Sequence, residues 1–411
     1  MLDNKLCISA DSHMVESAEF FEPLKDMFGD KAPHMVIADP DRGPQLDLGN
    51  GKLGIGLSGF FQTNVDFLNE EARKASLRAG YDLARPGCYD VGERLKDLVL
   101  DGLDAEVIYP SVIFNVYQID NLDIVKAAFR LYNDWVADFC KGAPNKLFPL
   151  ASVQLFDLDE AIREMDRSKS MGHVGLSIAA TAPPDRLYTD PWYDKFWAAA
   201  DDLEMSLNMH IFTGATDSHG LAPRHPSSRA NGALSFAGMA MTVADLIQSG
   251  VCERFPNLKF VVTEFETGWI GHVLKRLDWA WVRGGGARTS GLPKLPSEYW
   301  RQNFHAVFED DPLGIRTMDF IGVDTLLWGS DYPHGDSIFP NSQQVLSEIM
   351  SECTPEEVWK MTVKNVVDLY HLPFELTGPD QARINHIPTP EVKTWRNSLP
   401  LTEVTVATPL K

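Results

Sequence analysis

The chain has 411 residues, with 58 acidic side chains against 37 basic ones and a formal net charge of −21. Apolar residues make up 44% and aromatics 10%, enough to bury a substantial core, so a mainly disordered chain is excluded. The acidic balance argues against a nucleic-acid or anionic-membrane partner, because binding a polyanion needs a basic face.

Short apolar runs alternate with amphipathic stretches along most of the length. In chain order the candidate strands are Leu6–Ala10, Ala105–Tyr109, Leu147–Val153, Val174–Ile178, Met205–Ile211, Leu258–Glu264, Phe304–Phe308 and Thr325–Ser330. Helical patterns follow most of them: Leu122–Cys140, Leu158–Met171, Trp192–Leu203, Phe236–Ser249 and Trp269–Val282, then Ser342–Ser351 and Glu356–Tyr370. In Trp269–Val282, positions 270, 273, 274, 277 and 281 fall on one apolar face at helical spacing. Thr354 with Glu357 reads as a capping box, with Pro355 at the first helical position.

Strand–helix alternation predicts a parallel sheet, and eight such units predict a closed (β/α)8 TIM barrel. Such a barrel needs about 250 residues, so the excess must be insertions. The largest lies between the first two strands, at residues 31–100. It holds a Gly-rich piece, GNGKLGIGLSGFF, read as loop or hairpin, and then a charged helical piece. A second insertion, Thr213–Ser235, is rich in Gly, Pro, Ser and His. The expected organisation is a barrel domain over residues 1–375, with 31–100 as insertion or lid. Residues 376–411 form an extended tail that wraps the surface or a partner subunit. The rival fold is an open doubly wound sheet; against it, no GxGxxG follows a predicted strand.

No apolar run approaches the ~20 residues that span a bilayer. The N-terminal residues carry early charge and no signal-length apolar stretch. The five cysteines are scattered and odd in number, which fits reduced thiols in a cytoplasmic protein better than a disulfide framework.

Barrel chemistry sits at the C-terminal ends of strands. The first strand runs into Asp11-Ser12-His13, where residues two apart on extended chain point the same way. The fifth reaches His210, the sixth Glu264-Phe265-Glu266, and the eighth Asp331-Tyr332-Pro333-His334. Taken alone, each residue also has a plain structural reading as turn, cap or buried hydrogen-bonded group. Together they make a mixed N/O donor set that suits Zn, Mn or Fe(II), with room left for water or substrate. Asp331 is a candidate base in hydrolysis, and His334 a candidate acid for protonating a carbanion; His334 also reads as a rim residue. His219 and His225 on the second insertion lie within reach of the pocket, whereas His272 belongs to a helix off the site. Phe60, Phe61, Tyr89 and Phe212 fall in loops suited to a lid over an apolar substrate.

ISADSHMVE, the mid-chain MH, KFVVTEFETGWIGHVLKRLDWAW and WGSDYPHGDSIFP resemble the amidohydrolase superfamily. The similar branch is the amidohydrolase-related group that includes aminocarboxymuconate-semialdehyde and γ-resorcylate decarboxylases. The resemblance implies Asp11, His13, His210 and Asp331 as metal ligands and a divalent transition metal, zinc first, with manganese or iron as alternatives. Asp331, His334 and Glu264 are the candidate catalytic residues, with Glu264 open as a group behind the ligands, a base or a ligand of a second metal. Two departures stand out: no Lys ends the fourth strand, and Glu264 replaces a commoner histidine.

The leading reading is a metal-dependent hydrolase or decarboxylase acting on a small carboxylated or cyclic molecule, in a homo- or hetero-oligomer. One alternative is an oxygenase with a dinuclear Fe or Mn/Fe site on the same barrel. Another is a non-catalytic partner subunit of a hetero-oligomeric enzyme.

Overall fold

The computed structural model describes residues 5–39, 43–49, 51–56, 60, 69–183, 185–214 and 233–384. Among the described residues, the eleven strands are β1 (Ile8–His13), β2 (His34–Asp39), β3 (Gly43–Asp47), β4 (Leu53–Gly56), β5 (Ala105–Tyr109), β6 (Leu147–Ser152), β7 (Gly175–Thr181), β8 (Ser206–Gly214), β9 (Phe260–Thr263), β10 (Phe304–Phe308) and β11 (Leu326–Trp328). Eight of them form one sheet in the order β1-β5-β6-β7-β8-β9-β10-β11, and every ladder within it is parallel.

The two ends of that sheet meet. Ser330 N donates to Ser9 Oγ at 2.9 Å, Asp331 N to Asp11 O at 3.0 Å, and His13 N to Tyr332 O at 2.6 Å. The expected (β/α)8 TIM barrel is therefore the fold, and the open sheet is not. The seam is tight at Gly329, where an added Cβ would lie 2.6 Å from the Asp11 Cβ.

The core has two parts. Inside the barrel lie alternate residues of its strands, including Ile8, Ala10, Val107, Leu150, Val261 and Leu327. Helix Asn365–Tyr370 packs against this set, and the Tyr370 hydroxyl donates to Asn208 Oδ1 at 2.6 Å. The larger part fills the layer between strands and outer helices. Helix starts follow local chemistry: Asn121, Asp157 and Asp311 each cap a helix by accepting a backbone N–H, and Thr354 with Glu357 completes the capping box.

The insertion after β1 contains the antiparallel sheet β2-β3-β4 and helix Glu70–Ala79. The β3–β4 hairpin closes with Leu48 N donating to Lys52 O, in keeping with the loop-or-hairpin reading of this stretch. Leu46, Leu48 and Phe60 join the barrel's outer cluster and make no separate core. Helix Val91–Asp101, which reads in sequence as the charged end of this insertion, leads back into β5 as part of the barrel.

Residues up to Arg383 return to β1: Leu6 N donates to Gln381 O, and Arg383 N to Leu6 O. The expected tail beyond residue 384 lies outside the described residues. All five cysteines are free thiols. Among the described residues no helix is long and apolar enough to cross a membrane.

Candidate metal centre

The C-terminal ends of β1, β8 and β9, with the turn after β11, bring Asp11, His210, Glu264 and Asp331 around His13. Two irregularities aim them. The β1–β5 register slips between Ser9 and Ser12, and β8 bulges after His210, where Thr213 Oγ1 donates to His210 O at 2.6 Å. Glu264 and Asp331 both sit in the left-handed region, at φ 63° and 53°. For a residue with a Cβ that conformation costs of order 1–3 kcal/mol and persists only when the surroundings impose it.

His13 Nδ1 lies 2.7 Å from Pro110 O, and His210 Nδ1 2.9 Å from Ile211 O. A carbonyl only accepts, so each Nδ1 carries a proton and each Nε2 turns inward, a bare lone pair whenever the ring is neutral. Those two Nε2 atoms are 3.3 Å apart. His13 Nε2 is also 3.2 Å from Asp11 Oδ1 and from Asp331 Oδ1, and His210 Nε2 is 2.9 Å from Glu264 Oε2.

Asp11, His13 and Asp331 are at most 3% exposed, while Glu264 keeps a fifth of its side chain open to a cavity. Buried lone pairs and carboxylates this close repel unless protons or a cation compensate them. One ligand atom each from Asp11, His13, His210 and Glu264 falls within 4.8 Å of the others, and so does a second set from His13, Glu264, Asp331 and His334. The donors fit a divalent metal ion.

The charge balance without an ion shows the strain. Burial works against a charged His13, but Asp11 and Asp331 outweigh it and raise the imidazole to about 10. Burial works to raise Asp331, yet His334 and His13 hold it well below the usual carboxylate range. Glu264 is pushed up to about 7, by burial first and then by Asp331.

Around this point stands a second set that sequence reasoning missed. Glu16 is fully buried, and its carboxylate accepts from Ser111 N at 3.3 Å and Val112 N at 2.6 Å. Ser111 Oγ in turn lies 3.0 Å from His334 Nε2. Arg94, also fully buried, donates to Glu106 at 2.7 Å and to His13 O at 2.8 Å. It thereby braces the end of β1 against β5. Phe114 packs on His210 with ring centroids 4.7 Å apart.

His334 has Nδ1 2.7 Å from Asp331 Oδ1, stacks on His13 and meets Phe60 at 5.3 Å. Both of its ring nitrogens are engaged, and it does not line the cavity. The geometry therefore does not offer it as the acid facing substrate. His272 is exposed, as expected of a helix off the site. Tyr89 is 57% exposed, and Phe212 lines the cavity. Phe61, His219 and His225 lie outside the described residues.

The cavity measures about 370 Å³, room for a small aromatic molecule. Its lining includes Asp11, Glu264, Glu266, Glu309, Asp331 and Asp336, and no Lys or Arg among the described residues.

Fold and site together define a (β/α)8 barrel with a candidate metal centre at the C-terminal end of its sheet. Residues 84–372 match the family model described as Amidohydrolase, and the chain belongs to that family. It is 24% identical over 221 residues to γ-resorcylate decarboxylase of Rhizobium radiobacter, an alignment covering 50% of this chain and 65% of that protein. Among solved structures, an amidohydrolase of Mycobacterium avium subsp. paratuberculosis K-10 superposes with a TM-score of 0.71 at 19% identity, covering 89% of this chain and 99% of that one. A dihydroxybenzoic acid decarboxylase of Polaromonas sp. JS666, solved with manganese and 2-nitroresorcinol, gives 0.61 at 16% identity, covering 90% and 98%.

Proposed function

We propose that the protein is a metal-dependent decarboxylase of a small carboxylated aromatic, with Asp11, His13, His210 and Asp331 holding a divalent ion. The observation that carries this is the inward-facing pair of imidazole Nε2 atoms, 3.3 Å apart among buried carboxylates. Family membership and the decarboxylase relatives support the reaction class. Zinc suits a mixed N/O set, but a carboxylate-rich set suits manganese at least as well, and the Polaromonas relative was solved with manganese. Manganese is therefore the ion proposed first.

A divalent ion bound there supplies Lewis acidity toward a carboxylate or phenolate oxygen of the substrate. The chain's own groups do the rest. Phe212 and Val307 give the cavity apolar wall, and Ile211 extends it. Of the carboxylates lining the pocket, Asp11 and Asp331 are taken as ligands, and Glu264, against the His210 imidazole, is the one beside the centre left to hold a proton at the reacting carbon. Asp331 is held far too acidic by its histidines, so Glu264 is the group that delivers the proton as carbon dioxide departs. His334 positions Asp331, with Ser111 and Glu16 behind it.

The test is carbon dioxide release from γ-resorcylate by manganese-loaded protein, followed with its ring product. Stoichiometric release supports the reading. A metal-loaded protein that binds the acid and leaves it intact contradicts decarboxylation.

A further inference from the structure

Among the described residues, Phe212 and Phe308 are the aromatic side chains that line the cavity. Phe308 is 1% exposed and belongs to the core. Phe212 keeps half of its surface open. Its backbone stands at φ 65°, in the left-handed region, which a bulky residue occupies only where its surroundings impose it.

The bulge in β8 imposes it. The ladder with β7 pairs Ala179 with His210 and Thr181 with Gly214, so Ala180 alone lies opposite Ile211, Phe212 and Thr213. Thr213 Oγ1 pins the bulge from two sides, accepting from Ala180 N at 2.8 Å and donating to His210 O at 2.6 Å. Gly214 closes it at φ 88°, where an added Cβ would lie 2.4 Å from Thr181 O. The bulge starts at His210, a proposed ligand, and sets Phe212 in the wall of the cavity that Asp11, Glu264 and Asp331 also line. A glycine takes this φ at no steric cost, so the ring is kept here against local backbone preference. What it gains in return is a rigid aromatic face beside the metal centre.

We propose that Phe212 is a specificity-determining residue: the aromatic ring of the substrate stacks on it, so that flat acids are selected over saturated ones of the same size. This rests on the reading of the cavity as the site of a carboxylated aromatic.

Manganese-loaded full-length protein, titrated with γ-resorcylate and with its ring-saturated analogue 2,6-dihydroxycyclohexanecarboxylate, provides the test, alongside thermal melts. Wild type is expected to bind the aromatic acid about 3–10-fold more tightly than the saturated one. Phe212→Gly is expected to lose that preference through weaker binding of the aromatic acid, while melting no lower than wild type because the left-handed position suits glycine. Phe212→Tyr is expected to keep the preference. Equal affinity of wild type for the two acids, or an unchanged preference in Phe212→Gly, overturns the stacking role. A parallel loss of both affinities with a lower melting temperature assigns Phe212 to structure alone and overturns it too. Wild type that binds neither acid overturns the aromatic-substrate reading and this inference together. A preference that depends on Phe212, without release of carbon dioxide, supports the inference and overturns decarboxylation alone.

Discussion

The imidazole of His334 lies on that of His13, ring centroids 3.7 Å apart, and both rings address Asp331 Oδ1. Two stacked imidazoles do not both stay charged. Burial, reinforced by His13, pushes His334 down to about 4, so it is neutral and donates Nδ1–H to Asp331 while Nε2 accepts from the Ser111 hydroxyl. Removing that hydroxyl frees the ring that orients a proposed ligand. Ser111→Ala is expected to weaken metal binding by about 10–100-fold, the usual effect of losing a partner behind a ligand. The check is a metal titration alongside a thermal melt. Unchanged affinity removes the Ser111–His334 relay from the site.

His13→Ala deletes one of the two facing Nε2 donors. Metal content is expected to fall below about a tenth of wild type under the same dialysis, and turnover with it. Full metal occupancy in the variant shows that His13 is not a ligand.

Glu264→Gln keeps the side-chain shape and removes the charge and the transferable proton. The expected loss is about 10²–10⁴ in kcat, the range for a positioned proton donor. Thermal stability should stay near wild type, because the residue still fits its left-handed position. A variant that turns over normally excludes Glu264 from proton delivery.

Away from the centre, Asp101 is 2% exposed and accepts from Ser342 N at 2.9 Å and Ser342 Oγ at 2.6 Å. Burial pushes its carboxyl from 3.8 up to about 7 despite these bonds. The folded state then keeps a proton that the unfolded chain gives up, so the group costs nothing below the unfolded value and destabilises increasingly as pH rises toward 7. Asp101→Asn removes the titration. The stability of the variant minus that of wild type is expected to rise between pH 4 and 7 and level off above it, as read by denaturant melts. A flat difference would show that the carboxyl ionises normally.

Much of the barrel is readable in the residues themselves. Ala105–Tyr109 and Phe304–Phe308 match their strands end for end, because each is a short apolar run bounded by turn residues or helix. The first strand is harder: its polar half, Asp11-Ser12-His13, stays in the ladder because Ser9, Ser12 and Ser330 bond one another in the seam. Strand-end logic names Asp11, His13 and His210, which lie together with Glu264, and Asp331, which lies with His13, Glu264 and His334. The same logic, carried to the seventh barrel strand, finds Glu309 after Phe308. Glu16 and Ser111 give no such signal, since their partnership joins residues 95 positions apart and exists only once β1 and β5 are paired. Helix Val91–Asp101 is masked in sequence by the charges around it, yet its Arg94 is fully buried against Glu106.

The central claim is that the facing histidines and their carboxylates hold a metal. Crystals of manganese-loaded protein, measured at the manganese absorption edge, test it most directly. The account predicts an anomalous peak about 2.0–2.3 Å from donor atoms of Asp11, His13, His210 and Asp331. An absent peak there, with the His13 and His210 rings in the arrangement described, would contradict it.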